Sequence, residues 1–296
     1  MVKYCQLLIL FCLMPFYLLK AQTAKDYCSS GLIKYKTKDC RGAELEYSNA
    51  IAIDPTYVQA YTNRALAYQC LNDFHASIRD YNIAIKLMPL NDELYFGRAW
   101  AEQKTEDYKM SLNDYNKAIS INTKNERYYN FRGELKYILG DFKGAKDDCS
   151  KAISINGATT LFYYNRAKSL YMLQDFKGAL NDYNKALELD SKYVLAYIGR
   201  AEAKEKLRDF NGALDDCNKV ISPLTVDPYF FLLRGNIKKQ LKDNYNALKD
   251  YNKAVELDPK YTLAYICRAT VKEKMGDSPG AMQDLNKAQA LKKNKR

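Results

Sequence analysis

The 296-residue chain has a single histidine, His75, and a single tryptophan, Trp100. His75 stands where the second helix of its unit begins, an outer position, so a Ser-His-Asp triad, a paired-His metal site and a histidine proton shuttle are all unsupported. No two cysteines are spaced as Cys-x-x-Cys, which with one histidine excludes the usual zinc patterns. The 13 glycines form no phosphate-cradling loop. The longest apolar run, Leu7 to Leu19, is broken by Pro15 and falls short of the roughly 20 residues a spanning helix needs. Carboxylates are plentiful but recur at fixed places, where they serve capping and pairing. With no catalytic constellation and no cofactor motif, neither enzymatic activity nor a cofactor is expected.

What is present is periodicity. An aromatic residue returns every 34 positions: Tyr27, Tyr61, Tyr95, Tyr129, Tyr163, Tyr197, Phe231 and Tyr265. Numbering each unit from Ala24 onward makes this place 4. Place 8 is always Gly or Ala (Gly31, Ala65, Ala99 and so on), and place 20 is Ala or Ser. Place 27 is Ala except at Val220, and place 24 is mostly Tyr (Tyr47, Tyr81, Tyr115, Tyr183, Tyr251). Small residues let helix axes approach, and large ones fill the space beside them. Eight units follow without insertion or deletion: 24–57, 58–91, 92–125, 126–159, 160–193, 194–227, 228–261 and 262–295. A period of this length means a solenoid in which each unit packs on its neighbours.

Each unit divides into two stretches of helical periodicity, as in Leu94–Glu106 and Met110–Ile121. An Asp stands between them in every unit, from Asp39 to Asp277, and predicts the cap of each second helix. Pro55, Pro89 and Pro259 fall just past second helices. Arg recurs at place 7 from Arg64 to Arg268, and Asp at place 23 from Asp80 to Asp284. These columns predict ion pairs inside the stack, in preference to a ladder that reads ligand.

These columns resemble those of the tetratricopeptide repeat, over residues 24 to 295. The resemblance implies an all-α fold: antiparallel helix pairs stacked into a right-handed superhelical solenoid, with the first helix of each pair lining a concave groove. It also implies a role in binding protein or peptide. Thr123, Gly157, Ser191, Thr225 and Lys293 replace the family's usual Pro. Pro223, in the stretch Ile221 to Pro228, predicts an early end to the second helix of the sixth unit. In the family, places 2, 5, 9, 12 and 13 face the groove, and here they vary. The fourth and fifth units gather Arg127, Asn130, Glu134, Tyr137, Tyr164, Lys168 and Tyr171, a mixture suited to an extended backbone and an acidic side chain. The family's clamp for acidic carboxyl termini is missing: Asn63 and Asn165 stand at place 6, but the preceding units offer Cys28 with Leu32, and Asn130 with Glu134.

Residues 1–21 stand outside the repeat and read as a secretory signal peptide, with Lys3 before the apolar run and cleavage after Ala21. The alternative is an uncleaved membrane anchor over residues 4–19, the one route to membrane association. Cleavage would change the net charge from +11 to 11 − 2 = +9, through loss of Lys3 and Lys20. The charge is spread along the array and no nucleic-acid module is present, so nucleic acid is not an expected partner. Export to the periplasm or beyond would place the cysteines in an oxidising compartment. Cys28, Cys40 and Cys70 lie in the first two units, and Cys40–Cys70 is the favoured disulfide. Cys149 and Cys217 replace the packing Tyr of place 24 and read as buried thiols. The expected function is an exported, non-enzymatic scaffold; the alternative is an envelope assembly component that self-associates through its ends or convex face.

Overall fold

The computed structural model describes residues 23–222 and 224–293; the expected signal peptide lies outside the described residues. The described chain is helical, without strands. Its helices alternate between first and second members of hairpins. The first four hairpins are α1 (Ala24–Lys36) with α2 (Cys40–Ile53), α3 (Val58–Cys70) with α4 (Phe74–Leu87), α5 (Asp92–Lys104) with α6 (Tyr108–Ile121), and α7 (Glu126–Ile138) with α8 (Phe142–Ile155). The last four are α9 (Thr160–Met172) with α10 (Phe176–Leu189), α11 (Val194–Lys206) with α12 (Phe210–Val220), α13 (Pro228–Gln240) with α14 (Asn244–Leu257), and α15 (Thr262–Lys274) with α16 (Ser278–Lys293). Two compact units are formed, one ending at Tyr128 and the other beginning at Tyr129.

Hairpin turns are built alike. The residue at place 15 takes the left-handed conformation, at Lys38, Asn72, Glu106, Gln174, Arg208 and Lys242 (φ 60–65) and at Gly140 and Gly276. Next comes the Asp, whose side chain accepts a backbone N–H from the first turn of the second helix, as Asp175 does from Gly178 at 2.9 Å. Asp39, Asp141, Asp209 and Asp277 cap in the same way. Such caps satisfy donors that the helix itself leaves free. Helix α12 has 11 residues where α10 and α14 have 14; it stops at Val220, before Pro223.

Packing follows the repeat columns. Tyr47, Tyr81, Tyr115, Tyr183 and Tyr251 are at most 2% exposed, and Ala43, Ala50, Ala65 and Ala84 are fully buried beside them. Cys149 and Cys217 take the ring's place and are equally buried. The small place 8 is required: a Cβ on Gly31 would come within 2.6 Å of the Tyr47 ring.

Seven Arg–Asp pairs hold the hairpins. Arg64–Asp80, Arg98–Asp114, Arg132–Asp148, Arg166–Asp182, Arg200–Asp216, Arg234–Asp250 and Arg268–Asp284 are all bidentate, through Nε and Nη2. Each guanidinium also lies 5.2–5.8 Å from the place-4 ring of its own helix. In Arg64, Arg98, Arg166, Arg200, Arg234 and Arg268 the third nitrogen, Nη1, donates to the preceding repeat, as from Arg64 to Ser48, Arg98 to Asn82, and Arg200 to Asn184. Lys136, Lys204, Lys238 and Lys272, at place 11, add a second cation to the same Asp. In the third repeat this place holds Glu102, buried beside Asp114 and 3.7 Å from Arg98, with Oε2 unpartnered. Burial, then the Asp114 charge, lifts its pKa from 4.5 to about 8.

Candidate functional site

The second unit holds a cavity of about 380 Å³ whose walls come largely from first helices. Helix α7 supplies Tyr137, α9 supplies Tyr164, Lys168 and Tyr171, and α11 supplies Ile198 and Glu202. Tyr229 and Phe230 of α13 close one side, with Asp227 preceding them, and Tyr183 of α10 forms part of the floor. Residues at places 5, 9 and 12 of one helix share a face because they lie three or four apart. The stretch before α13 departs from the repeat, and its Asp227, with Tyr229 and Phe230 just after it, forms a wall.

Within the cavity the Lys168 ammonium sits 4.5 Å from the Tyr137 ring centroid and 5.5 Å from that of Tyr164. Tyr164 packs on Tyr183 and, edge-on, on Tyr193. Burial pushes the Tyr164 and Tyr171 phenols up to about 12, so both stay protonated and able to donate at neutral pH. Glu202 accepts the Tyr229 hydroxyl. Burial also raises the Glu202 carboxyl above the ordinary carboxylate range, against the opposing effect of that bond. Asp227 accepts the Tyr229 backbone N–H at 2.9 Å and caps α13. Gly199 makes room for the Tyr183 hydroxyl, which a Cβ would approach to 2.5 Å.

Four of the seven residues expected to form the groove centre, Tyr137, Tyr164, Lys168 and Tyr171, line this cavity together. Glu134 is exposed and is not among its walls. Arg127 belongs to the first unit, where its guanidinium covers the Phe96 ring at 4.9 Å. Asn130 corrects the expectation: it is 1% exposed, and its Oδ1 accepts from Asn165 Nδ2 at 3.0 Å. Place 5 is largely a packing column, since Cys28, Phe96, Ile198 and Leu232 are buried too. Its variability arises because each residue is matched to its neighbours, as Cys28 is to Asn63, which donates to its sulfur. Glu202, Tyr183 and Tyr229 were not singled out from the sequence. Glu202 and Tyr229 occupy groove-facing places 9 and 2, which was the available signal; Tyr183 sits in the packing column and gave none.

Cys40 and Cys70 are joined by a disulfide, with Cα atoms 6.1 Å apart. Among the described residues no helix is long and apolar enough to cross a membrane.

Tetratricopeptide-repeat family models match residues 92–125, 126–159, 160–193 and 229–261. DnaJ homolog subfamily C member 7 of Mus musculus is 35% identical over 57 residues, which is 19% of this chain and 12% of that protein. Among solved structures, a tetratricopeptide repeat protein from Parabacteroides merdae superposes with a TM-score of 0.65 at 18% identity, covering 85% of this chain and 99% of that one. The Cut9–Hcn1 hetero-tetramer of the APC/C gives 0.67 at 15% identity, over 88% of this chain and 50% of that one. At such identities the structural likeness speaks for fold alone. Hairpin geometry, repeat columns and family models agree: the chain is an all-α tetratricopeptide-repeat protein.

Proposed function

We propose that this protein is an exported, non-enzymatic scaffold that binds a segment of another protein along its first-helix groove, centred on the cavity of the second unit. The observation that carries this reading is that Tyr137, Tyr164, Lys168 and Tyr171, from two successive first helices, converge on one cavity. Aromatic side chains with polar tips are the groups that recur at binding surfaces. Cavity and repeat together favour recognition over catalysis. Export rests on the character of residues 1–21. The test is a crosslinked pull-down from the native envelope fraction, comparing wild type with a Tyr164→Ala/Lys168→Ala/Tyr171→Ala variant of unchanged helicity. A partner captured by wild type and lost by the variant is expected. A partner kept by both would remove the cavity from the function.

One observation favours the assembly reading as a second possibility. Leu285 stands at place 24 and is 46% exposed, whereas the Tyr and Cys residues of that column are buried. Met282, one turn earlier, is 60% exposed. Light scattering on the purified chain, with and without Met282→Lys/Leu285→Lys, separates the readings: a monomer in both cases leaves no role for this face in self-association.

A further inference from the structure

Resting on the groove reading, we propose that the cavity of the second unit receives the side-chain carboxylate of an acidic residue in the bound segment, with Lys168 and the surrounding tyrosine hydroxyls as its donors.

The cavity satisfies some of its polar groups internally and leaves others open. Each of its carboxylates already holds one donor: Glu202 takes the Tyr229 hydroxyl, and Asp227 takes the Tyr229 backbone N–H. The remaining donors hold no acceptor. The Lys168 ammonium is half-buried against two tyrosine faces. Among the described residues it has no carboxylate in ion-pair range. That separates it from Lys136, Lys204, Lys238 and Lys272, each of which is paired with an Asp. An ammonium drawn partly out of water loses hydration that ring faces only partly replace.

The hydroxyls point the same way. Tyr183 is 2% exposed, yet its hydroxyl, part of the cavity floor, has no hydrogen-bond partner among the described residues. The Tyr137, Tyr164 and Tyr171 hydroxyls likewise bond to no other described group. These hydroxyls open into the cavity, where they can donate to an acceptor carried by a ligand. Gly199 leaves room for that of Tyr183, since any side chain there would strike it.

Lys168 brings one positive charge to a cavity that also holds Glu202 and Asp227, so a doubly charged group such as a phosphate monoester is repelled more strongly than a single carboxylate. The aromatic walls suit the methylene stem of Asp or Glu. The unpaired Lys168 makes the site different from the clamp for acidic carboxyl termini, whose Lys and Asn residues this chain lacks.

The test titrates the full chain with three probes: the blocked tripeptide Ac-Ala-Glu-Ala-NH2, its Gln counterpart and inorganic phosphate. Binding is followed by the ring resonances of labelled tyrosine. Saturable shifts at Tyr164 and Tyr171 are expected, with the Glu probe tighter than the Gln probe by about tenfold, equivalent to about 1.4 kcal/mol. Lys168→Met should erase that preference and Lys168→Arg should keep it, each with an unchanged melting temperature. Equal response to the Glu and Gln probes, a preference that survives Lys168→Met, or phosphate binding in place of Glu binding would each overturn the proposal. The pull-down distinguishes this failure from failure of the groove itself. Leu195 is 47% exposed at the cavity wall, so Leu195→Trp obstructs the cavity without disturbing the core. A partner lost on Leu195→Trp but kept on Lys168→Met overturns the carboxylate and spares the groove. A partner kept by both overturns the two together.

Discussion

Arg166 grips Asp182 with two parallel hydrogen bonds, Nε to Oδ2 at 2.6 Å and Nη2 to Oδ1 at 2.7 Å, while its Nη1 reaches Ser150 in the preceding repeat at 3.3 Å. The pair closes one hairpin, and the third contact fastens that hairpin to the one before. With side chains 24% and 10% exposed, the charges are sheltered but not sealed. Removing either partner should cost about 3 kcal/mol, because the other charge is then left without its counterion. Removing both should cost less than the sum, by about 1.5–3 kcal/mol. A double-mutant cycle of Arg166→Ala and Asp182→Ala in urea checks this; additive losses would show that the two do not act as a pair.

Glu102 should make stability depend on pH in the sense opposite to a salt-bridged acid. Its folded pKa, about 8, lies above its ordinary 4.5, so the folded state holds a proton that the unfolded state has released. The contribution is fully present below about 4.5 and is lost as pH rises through about 8, at about 1.4 kcal/mol per pH unit within the window. Denaturation of wild type and Glu102→Gln from pH 5 to 9 checks the slope, which the variant should flatten. Glu102→Lys should go further and raise the melting temperature, by giving Asp114 the second cation that Lys136 gives Asp148.

Gln174 is exposed and left-handed, at φ 62. A non-glycine residue there carries a steric cost of about 1–2 kcal/mol, offset in part by the greater unfolded-state entropy of glycine. Gln174→Gly should therefore stabilise the chain by roughly 0.5 kcal/mol. Thermal melts read the sign directly, and a lower midpoint would count against a strained turn.

The Cys40–Cys70 bridge spans a separation of 30 residues in the first unit. Its loss should destabilise that unit by about 3–4 kcal/mol on the chain-entropy account. The comparison is oxidised protein against Cys40→Ser/Cys70→Ser, with mass spectrometry of alkylated peptides to establish the bridge. Equal urea midpoints would deny it a stabilising role.

The packing of this protein is legible because it recurs. Arg at place 7 and Asp at place 23 return at a fixed offset of 16, and their pairing follows from that offset. The cavity is only half legible. Tyr137, Tyr164, Lys168 and Tyr171 sit on faces that repeat geometry turns toward the groove. The opposite wall depends on α12 stopping at Val220 and on the placing of Tyr229, a local departure that periodicity cannot describe. Asn130 shows the converse error. Variation at place 5 looks like recognition but arises from contact with a partner that varies with it, here Asn165.

The reach of Arg166 and Arg200 into the repeat before them bears on how the gene can change length. Removing residues 160–193 in frame would set Arg200 opposite Ser150 instead of Asn184, its present acceptor at 2.8 Å. A hydroxyl oxygen and an amide oxygen accept equally well from Nη1, and Arg166 already uses that same Ser150. Dropping or duplicating a whole period therefore keeps the arginine contact across the junction, while a matched pair such as Asn130 with Asn165 is lost at the cut. A deletion that is not a whole number of periods misaligns the contacts across the cut.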